Sequence, residues 1–180
     1  MHRLNVFAML TVLIETHNDE EPLARTLAAL VPAAVEGVVR DVIVCDRMSV
    51  DHTHKVADQA GCVFVAGGDL QAALRRARCE WILFLEPGAR PVEGWMDTVM
   101  AHTGKLASPA RFTRVKEDRP GFFTRVFSAR RPLADGLVMT RRQALALGKS
   151  ARTAEAMARG LSARRLSGLI SPAPVRRAAD

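Results

Sequence analysis

Four short apolar runs, each closing on polar or turn-forming residues, constrain the fold of this chain more than any other feature. They read TVLIET, DVIVCD, CVFVAGG and WILFLEPG, and all fall within the first ninety residues. Runs of this length with almost no polar interruption are the pattern of strands buried on both faces. Between them lie segments with helical spacing. Leu23, Leu27 and Leu30 recur along one helix face after the turn Thr16-His-Asn-Asp, and Pro32 is expected to close that helix. The spacing predicts strands over 6–15, 41–46, 61–65 and 81–85. It predicts further helices from Asp51 or Thr53 to about Ala60, over Leu70–Arg78, and from Pro91 to about His102. Strand and helix in strict alternation predict an α/β fold, a mostly parallel sheet with helices on both faces.

In such sheets ligands sit beyond the carboxyl ends of the strands. Those ends carry Thr16 and Asn18, Asp46 and Asp51, Gly67 and Gly68, and Glu86. Polar tips converging on one edge are what a nucleotide site requires. Each also has a plainer reading. Asp51 in S-x-D-x-T is capping chemistry, Gly67-Gly68 is a turn, and Glu86 ahead of Pro-Gly opens an ordinary surface turn.

Beyond residue 105 the periodicity weakens. Lys105–Arg131 reads as an irregular antiparallel segment or loop, Gly136–Thr140 as a short strand, and Arg141–Leu147 as a helix ended by Gly148. Residues 150–170 read as a basic amphipathic helix, with Ala154, Met157, Ala158, Leu161 and Leu169 near one face. The organisation expected is a main domain over 1–148, followed by this helix and tail over 149–180, either within the same compact unit or facing a membrane.

Charge sharpens the division. Residues 1–110 hold 10 Lys/Arg against 14 Asp/Glu, whereas residues 111–180 hold 16 against 5. A basic back half predicts a polyanionic partner, and the 149–170 helix predicts contact with an anionic membrane surface. Nucleic acid is disfavoured, because the basic residues lack the interleaved aromatics of a stacking platform. Three widely spaced cysteines, Cys45, Cys62 and Cys79, exclude a disulfide framework and a zinc spacing, and imply free thiols in a reducing compartment. No apolar run reaches the ~18–20 residues of a membrane span. The apolar N-terminus ends in an acid and a turn rather than a cleavage site, and reads as a buried strand. The expected location is cytoplasmic, peripheral at the inner membrane face.

The order of these motifs resembles that of family-2 glycosyltransferases, which have the GT-A fold. LTVLIETHNDEEPLARTLAAL resembles their opening strand, T-x-N-E turn and helix. VRDVIVCDRMSVDHTHKVADQAG resembles the unit usually written V-D-D-G-S-T-D-G-T, and WILFLEPGARPVEGWM stands where the family has an apolar strand, Asp-x-Asp and Pro-x-x-Trp-Leu. The resemblance implies transfer of a sugar from a nucleotide-diphosphate sugar to a lipid- or polysaccharide-linked acceptor. It implies nucleotide contacts from Thr16, Asn18, Glu20 (or Asp19), Asp46, Asp51, Glu86 and Arg90, with Arg141 or Arg142 as further partners of the diphosphate. Glu86 would hold Mg2+ or Mn2+ against the diphosphate, and Glu155 or Glu86 would serve the catalytic step. The departures are specific. Arg47 replaces the second acid of the V-D-D unit and Gly88 the second acid of Asp-x-Asp. Thr153-Ala154 falls where a Glu-Asp pair is expected, leaving Glu155 one residue off. Those losses favour a rival reading, a catalytically degenerate relative that binds a nucleotide or a partner protein.

Overall fold

The structure is a computed structural model that describes residues 9–115 and 131–175. Among the described residues eight strands form one sheet. They are β1 (Leu10–Thr16), β2 (Val39–Asp46), β3 (Val63–Ala66), β4 (Trp81–Leu85), β5 (Arg90–Pro91), β6 (Ala110–Arg114), β7 (Leu137–Thr140) and β8 (Arg164–Ser171). The helices are α1 (Glu20–Val35), α2 (Thr53–Gln59), α3 (Leu70–Arg76), α4 (Trp95–Thr103), α5 (Arg141–Leu147) and α6 (Ala154–Ala158). Strand order is β3-β2-β1-β4-β7-β6-β8-β5. The first four strands are parallel; β7 runs antiparallel to both β4 and β6, and β8 runs parallel to β6.

The expected α/β class, with a mostly parallel sheet between helical layers, is the observed one. Alternation along each strand sends side chains to two cores. Val12 and Ile14 of β1, with Leu83 and Leu85 of β4, pack against Leu23 and Leu30 of α1 and Trp95 and Val99 of α4. Leu13, Ile43, Ile82 and Phe84 face the other way, onto Leu70 and Leu74 of α3, Ala144 of α5 and Met157 of α6. The helix after β7 starts where its sequence says it should. Thr140 and Gln143 form a capping box, with the Thr140 Oγ1 accepting from the Gln143 N–H at 3.2 Å and the Gln143 Oε1 accepting from the Thr140 N–H at 3.0 Å.

Three expectations are corrected. Pro32 does not end α1, which continues to Val35. It sits in the last turn, so its missing N–H deprives only the Ala28 carbonyl of a helical partner. The segment from Pro91 opens with a short strand, and its helix begins only at Trp95. The largest correction is at residues 150–170, which are not one amphipathic helix. Only Ala154–Ala158 is helical; Gly160 turns the chain with φ +75°, and Arg164–Ser171 is strand β8. Leu166, Gly168 and Ile170 are buried while Ser167 and Leu169 between them are exposed, a period of two rather than 3.6. Gly168 fits because β8 lies close to α4: a Cβ there would stand 3.2 Å from Thr98 Cβ. Residues 149–175 therefore add a strand to the common sheet. Residues 6–8 of the expected first strand and residues 116–130 of the Lys105–Arg131 segment lie outside the described residues.

Candidate functional site

Parallel register brings the carboxyl ends of β1, β2 and β4 to one edge. Thr16 of β1 is level with Asp46 of β2, and Ile14 with Leu85 of β4. Asp46 is buried there and its carboxylate is fully engaged. It accepts from Thr16 Oγ1 at 2.8 Å, from the Ser49 N–H at 2.9 Å and from Ser49 Oγ at 2.5 Å. Asn18, in the left-handed region at φ 54°, donates its N–H to Ser49 Oγ and accepts the Val50 N–H on its side-chain oxygen, both at 2.8 Å. Asp51 accepts from the N–H and Oγ1 of Thr53 at 3.0 and 2.6 Å and, on its other oxygen, from the Glu20 N–H at 3.1 Å. Slight burial raises the Asp51 carboxyl, but those hydrogen bonds outweigh it and hold it below the usual aspartate range. Glu20 places its carboxylate 3.3 Å from His52 Nδ1. Together these groups clamp the loop after β1 to the loop after β2, and satisfy backbone donors that a helix start would leave open.

Beside the clamp opens a cleft of about 470 Å³. Glu15, Thr16 and Arg47 line it from the ends of β1 and β2, and Glu86 and Pro87 from the end of β4. Arg131 and Leu133, Glu155 of α6 and residues 173–175 close the remainder. Glu15 stands in the apolar run of β1 with its side chain only 8% exposed. Its Oε2 accepts the Ala154 N–H at 2.6 Å. Its Oε1 lies 3.3 Å from Arg47 Nη2 and accepts no hydrogen bond. Burial pushes the Glu15 carboxyl up, against the lowering effect of the Ala154 bond and of Arg47. Glu86 is held by Arg131, whose Nη2 donates to Glu86 Oε2 while Nη1 donates to the Ala173 carbonyl at 2.9 Å. Burial raises the Glu86 carboxyl too, and outweighs the neighbouring guanidinium.

Of the residues expected from the sequence, Thr16, Asp19, Glu86 and Glu155 line the cleft. Asn18, Glu20, Asp46 and Asp51 form the adjoining loop clamp. Arg90 is not brought to the cleft: it stands exposed on β5, at the far end of the strand order, with its Nη2 3.5 Å from Ser171 Oγ. Arg141 is also elsewhere, since its backbone N–H bonds the Glu80 carbonyl at the amino end of β4, opposite Glu86. Gly67 and Gly68 form a turn with positive φ, and a Cβ on Gly68 would meet Arg47 Cγ at 2.9 Å. Three acidic or arginine residues of the cleft are not singled out from the sequence as site residues: Glu15, Arg131 and Arg47, the last noted only as a departure. The signal for Glu15 was present, as an acid inside an otherwise apolar strand.

The divalent cation implied by the family resemblance does not fit these residues. The carboxylate of Glu86 is occupied by Arg131. Gly88 has φ +95°, and a Cβ there would stand 3.3 Å from Pro174 Cδ and 3.4 Å from Ala173 Cβ. Among the described residues no group of three His, Cys, Asp or Glu side chains is arranged to hold a metal. Cys45 and Cys79 are buried, Cys62 is half-buried, and all three are free; burial pushes the Cys45 thiol up to about 12. Among the described residues no helix is long and apolar enough to cross a membrane.

Comparison with solved structures agrees with this architecture. Mannosyl-3-phosphoglycerate synthase from Rubrobacter xylanophilus superposes with a TM-score of 0.57 at 16% identity, over 75% of this chain and 54% of that one. Glucosyl-3-phosphoglycerate synthase from Mycobacterium tuberculosis, in complex with Mn2+, UDP-glucose and phosphoglyceric acid, superposes with a TM-score of 0.60 at 14% identity, over 93% of this chain and 73% of that one. The same enzyme in complex with UDP gives 0.57 at 16% identity. The fold is of the GT-A type. The chain spans just over half the length of the Rubrobacter enzyme. No family model matches the sequence, and no curated protein matches it.

Proposed function

We propose that this chain is the donor-binding domain of a glycosyltransferase of family-2 type, transferring a sugar from a nucleotide-diphosphate sugar to a lipid- or polysaccharide-linked acceptor. The observation that carries this reading is the cleft itself: residues at the ends of β1, β2 and β4 line one cavity together with Glu155 of α6. In this fold that edge is where a nucleotide is bound, and solved structures of the same fold hold UDP and UDP-glucose. The clamp of Thr16, Asn18, Glu20, Asp46 and Asp51 fixes the two loops that would receive the nucleoside. Glu155 is 39% exposed and is a carboxylate able to take a proton from an acceptor hydroxyl. Glu86 lines the same cleft and orients Arg131. The acceptor class rests on the motif resemblance alone.

One observation favours a second reading, a relative that binds a nucleotide without transfer: Glu86 is tied up by Arg131, and Ala173-Pro174 overlie Gly88. One experiment separates the two. Binding of UDP and GDP is followed by the shift in melting temperature, and release of sugar from UDP- and GDP-sugars is followed in parallel. Transfer predicts a thermal shift with one nucleotide and a turnover that Glu155→Gln lowers about a hundredfold while leaving the shift intact. A shift without turnover supports the second reading. No shift with either nucleotide removes both.

A further inference from the structure

We infer, resting on the nucleotide-diphosphate reading above, that the cleft takes a nucleoside diphosphate without a divalent cation, the Arg131 guanidinium standing in the cation's place. Three features of the cleft lead there. The acid at the end of β4, Glu86, already holds a cation, and that cation belongs to the chain. Arg131 is also fixed from behind by its bond to the Ala173 carbonyl, so its guanidinium is oriented before any ligand arrives. The second acidic position is not merely empty of oxygen. At Gly88 φ is +95°, which a side chain would strain, and a Cβ would make tight contact with Pro174 Cδ at 3.3 Å and Ala173 Cβ at 3.4 Å.

A second pair repeats the arrangement. Arg47 stands where the motif carries an acid, and it pairs with Glu15 across 3.3 Å. The lining holds more carboxylates than guanidiniums, which by itself would repel a diphosphate, so depth decides the sign. In the Arg131–Glu86 pair the side chains are 28% and 13% exposed, and in the Arg47–Glu15 pair 47% and 8%. In both pairs the guanidinium is the more exposed partner and the carboxylate the more buried one. Burial favours the neutral form of both carboxyls. Glu155, the more exposed acid, has Arg159 at 3.9 Å. The more accessible charge of each of these two pairs is therefore cationic. The bonds to Glu86 and Ala173 use two of the five donors of Arg131, and a planar guanidinium matches phosphate oxygens in a way a spherical ion does not need to.

The test is calorimetric titration of the full chain with UDP and with GDP at constant ionic strength, in Mn2+ and in EDTA. The expected result is one affinity in both conditions, within about twofold, and a loss of about tenfold or more in Arg131→Ala. Because Arg131→Ala also removes the bond to Ala173, Glu86→Gln provides a second reading that does not depend on it. Freeing Arg131 from its resident anion is expected to tighten UDP or GDP about threefold. Binding that requires Mn2+ and is lost in Glu86→Gln overturns the inference and leaves the nucleotide-diphosphate reading standing. No binding of either nucleotide in either condition is instead the failure of that reading.

Discussion

The two halves of the sheet are held together by different forces. In the parallel half, β3-β2-β1-β4, the strands are buried on both faces and their contacts are almost wholly apolar: Leu10, Val12, Ile14, Ile43, Val44 and Ile82 to Leu85 are all fully buried. In the half made by β6, β8 and residues 131–136, arginines do much of the joining. Asp135 receives Arg114 and Arg165 together. Arg111 donates to the Pro132 carbonyl at 2.9 Å and to the Ala158 carbonyl, and Arg165 to the Phe112 carbonyl at 2.6 Å. Arg131, through Glu86 and Ala173, ties this half to the end of β4. The cleft lies where the two kinds of cohesion meet. A basic surplus in a sequence can thus be structural, as cations directed at carbonyls and one shared carboxylate, before it is a surface for a polyanion.

This contrast is sharpened by one substitution in each half. Leu83→Ala in β4 removes a side chain with no exposure and should destabilise by about 3 kcal/mol, with little dependence on salt, as read from denaturant unfolding. Asp135→Asn should destabilise by about 2 kcal/mol, because it strands Arg114 and Arg165 without their shared partner. Its effect should also depend on pH. Burial raises the Asp135 carboxyl, but the bonds and charges of the two arginines outweigh it and hold it below its ordinary value of 3.8. A depressed folded value stabilises above the unfolded one and loses that contribution as pH falls through the folded value. The variant and the parent should therefore converge as pH falls below 3.8 and through the folded value, and the difference should shrink in high salt. If Leu83→Ala is salt-sensitive and Asp135→Asn is not, the contrast is wrong.

Legibility in the sequence follows the same line. β1 to β4 were readable because burial on both faces writes itself as unbroken apolar runs, and each run is punctuated by Gly, Pro or an acid. The GT-A order of motifs followed from that half alone. β8 was misread because Ala154, Met157, Ala158, Leu161 and Leu169 happen to fit a helical face, while the decisive marks, Gly160 and Gly168, were outweighed by them. The strand-end polar groups of the candidate site were legible as a set. Their partition was not: nothing local in the sequence says that the Asp46 carboxylate is spent on Thr16 and Ser49, or that Glu86 meets an arginine 45 residues on. Those pairings come from sheet order, which brings residues 131–133 and 173–175 against the end of β4.

The smallest expected effect tests where the apolar half gives way to the ionic one. Glu15 is the buried acid near the carboxyl end of β1, where the parallel core meets the cleft, and Gln is nearly its shape. Glu15→Gln keeps an oxygen for the Ala154 N–H and removes the charge that burial opposes. A folded value raised above the ordinary 4.5 favours folding below the unfolded value, and that advantage is lost as pH rises through the folded one. The substitution should therefore stabilise at pH 7, where the parent carboxyl must ionise in a site that accepts no hydrogen bond on Oε1, and should be neutral at pH 4, where both side chains are uncharged. Arg47 sets the limit on the gain: it is 47% exposed and can return to water when its partner goes, at a cost typical of surface pairs, below about 1 kcal/mol. Melting curves of the two proteins from pH 4 to 8 check this. A variant less stable at pH 7 than at pH 4, relative to the parent, would mean that the Arg47–Glu15 pair stabilises the fold by more than burial opposes it, and that the ionic cohesion of the second half reaches into β1.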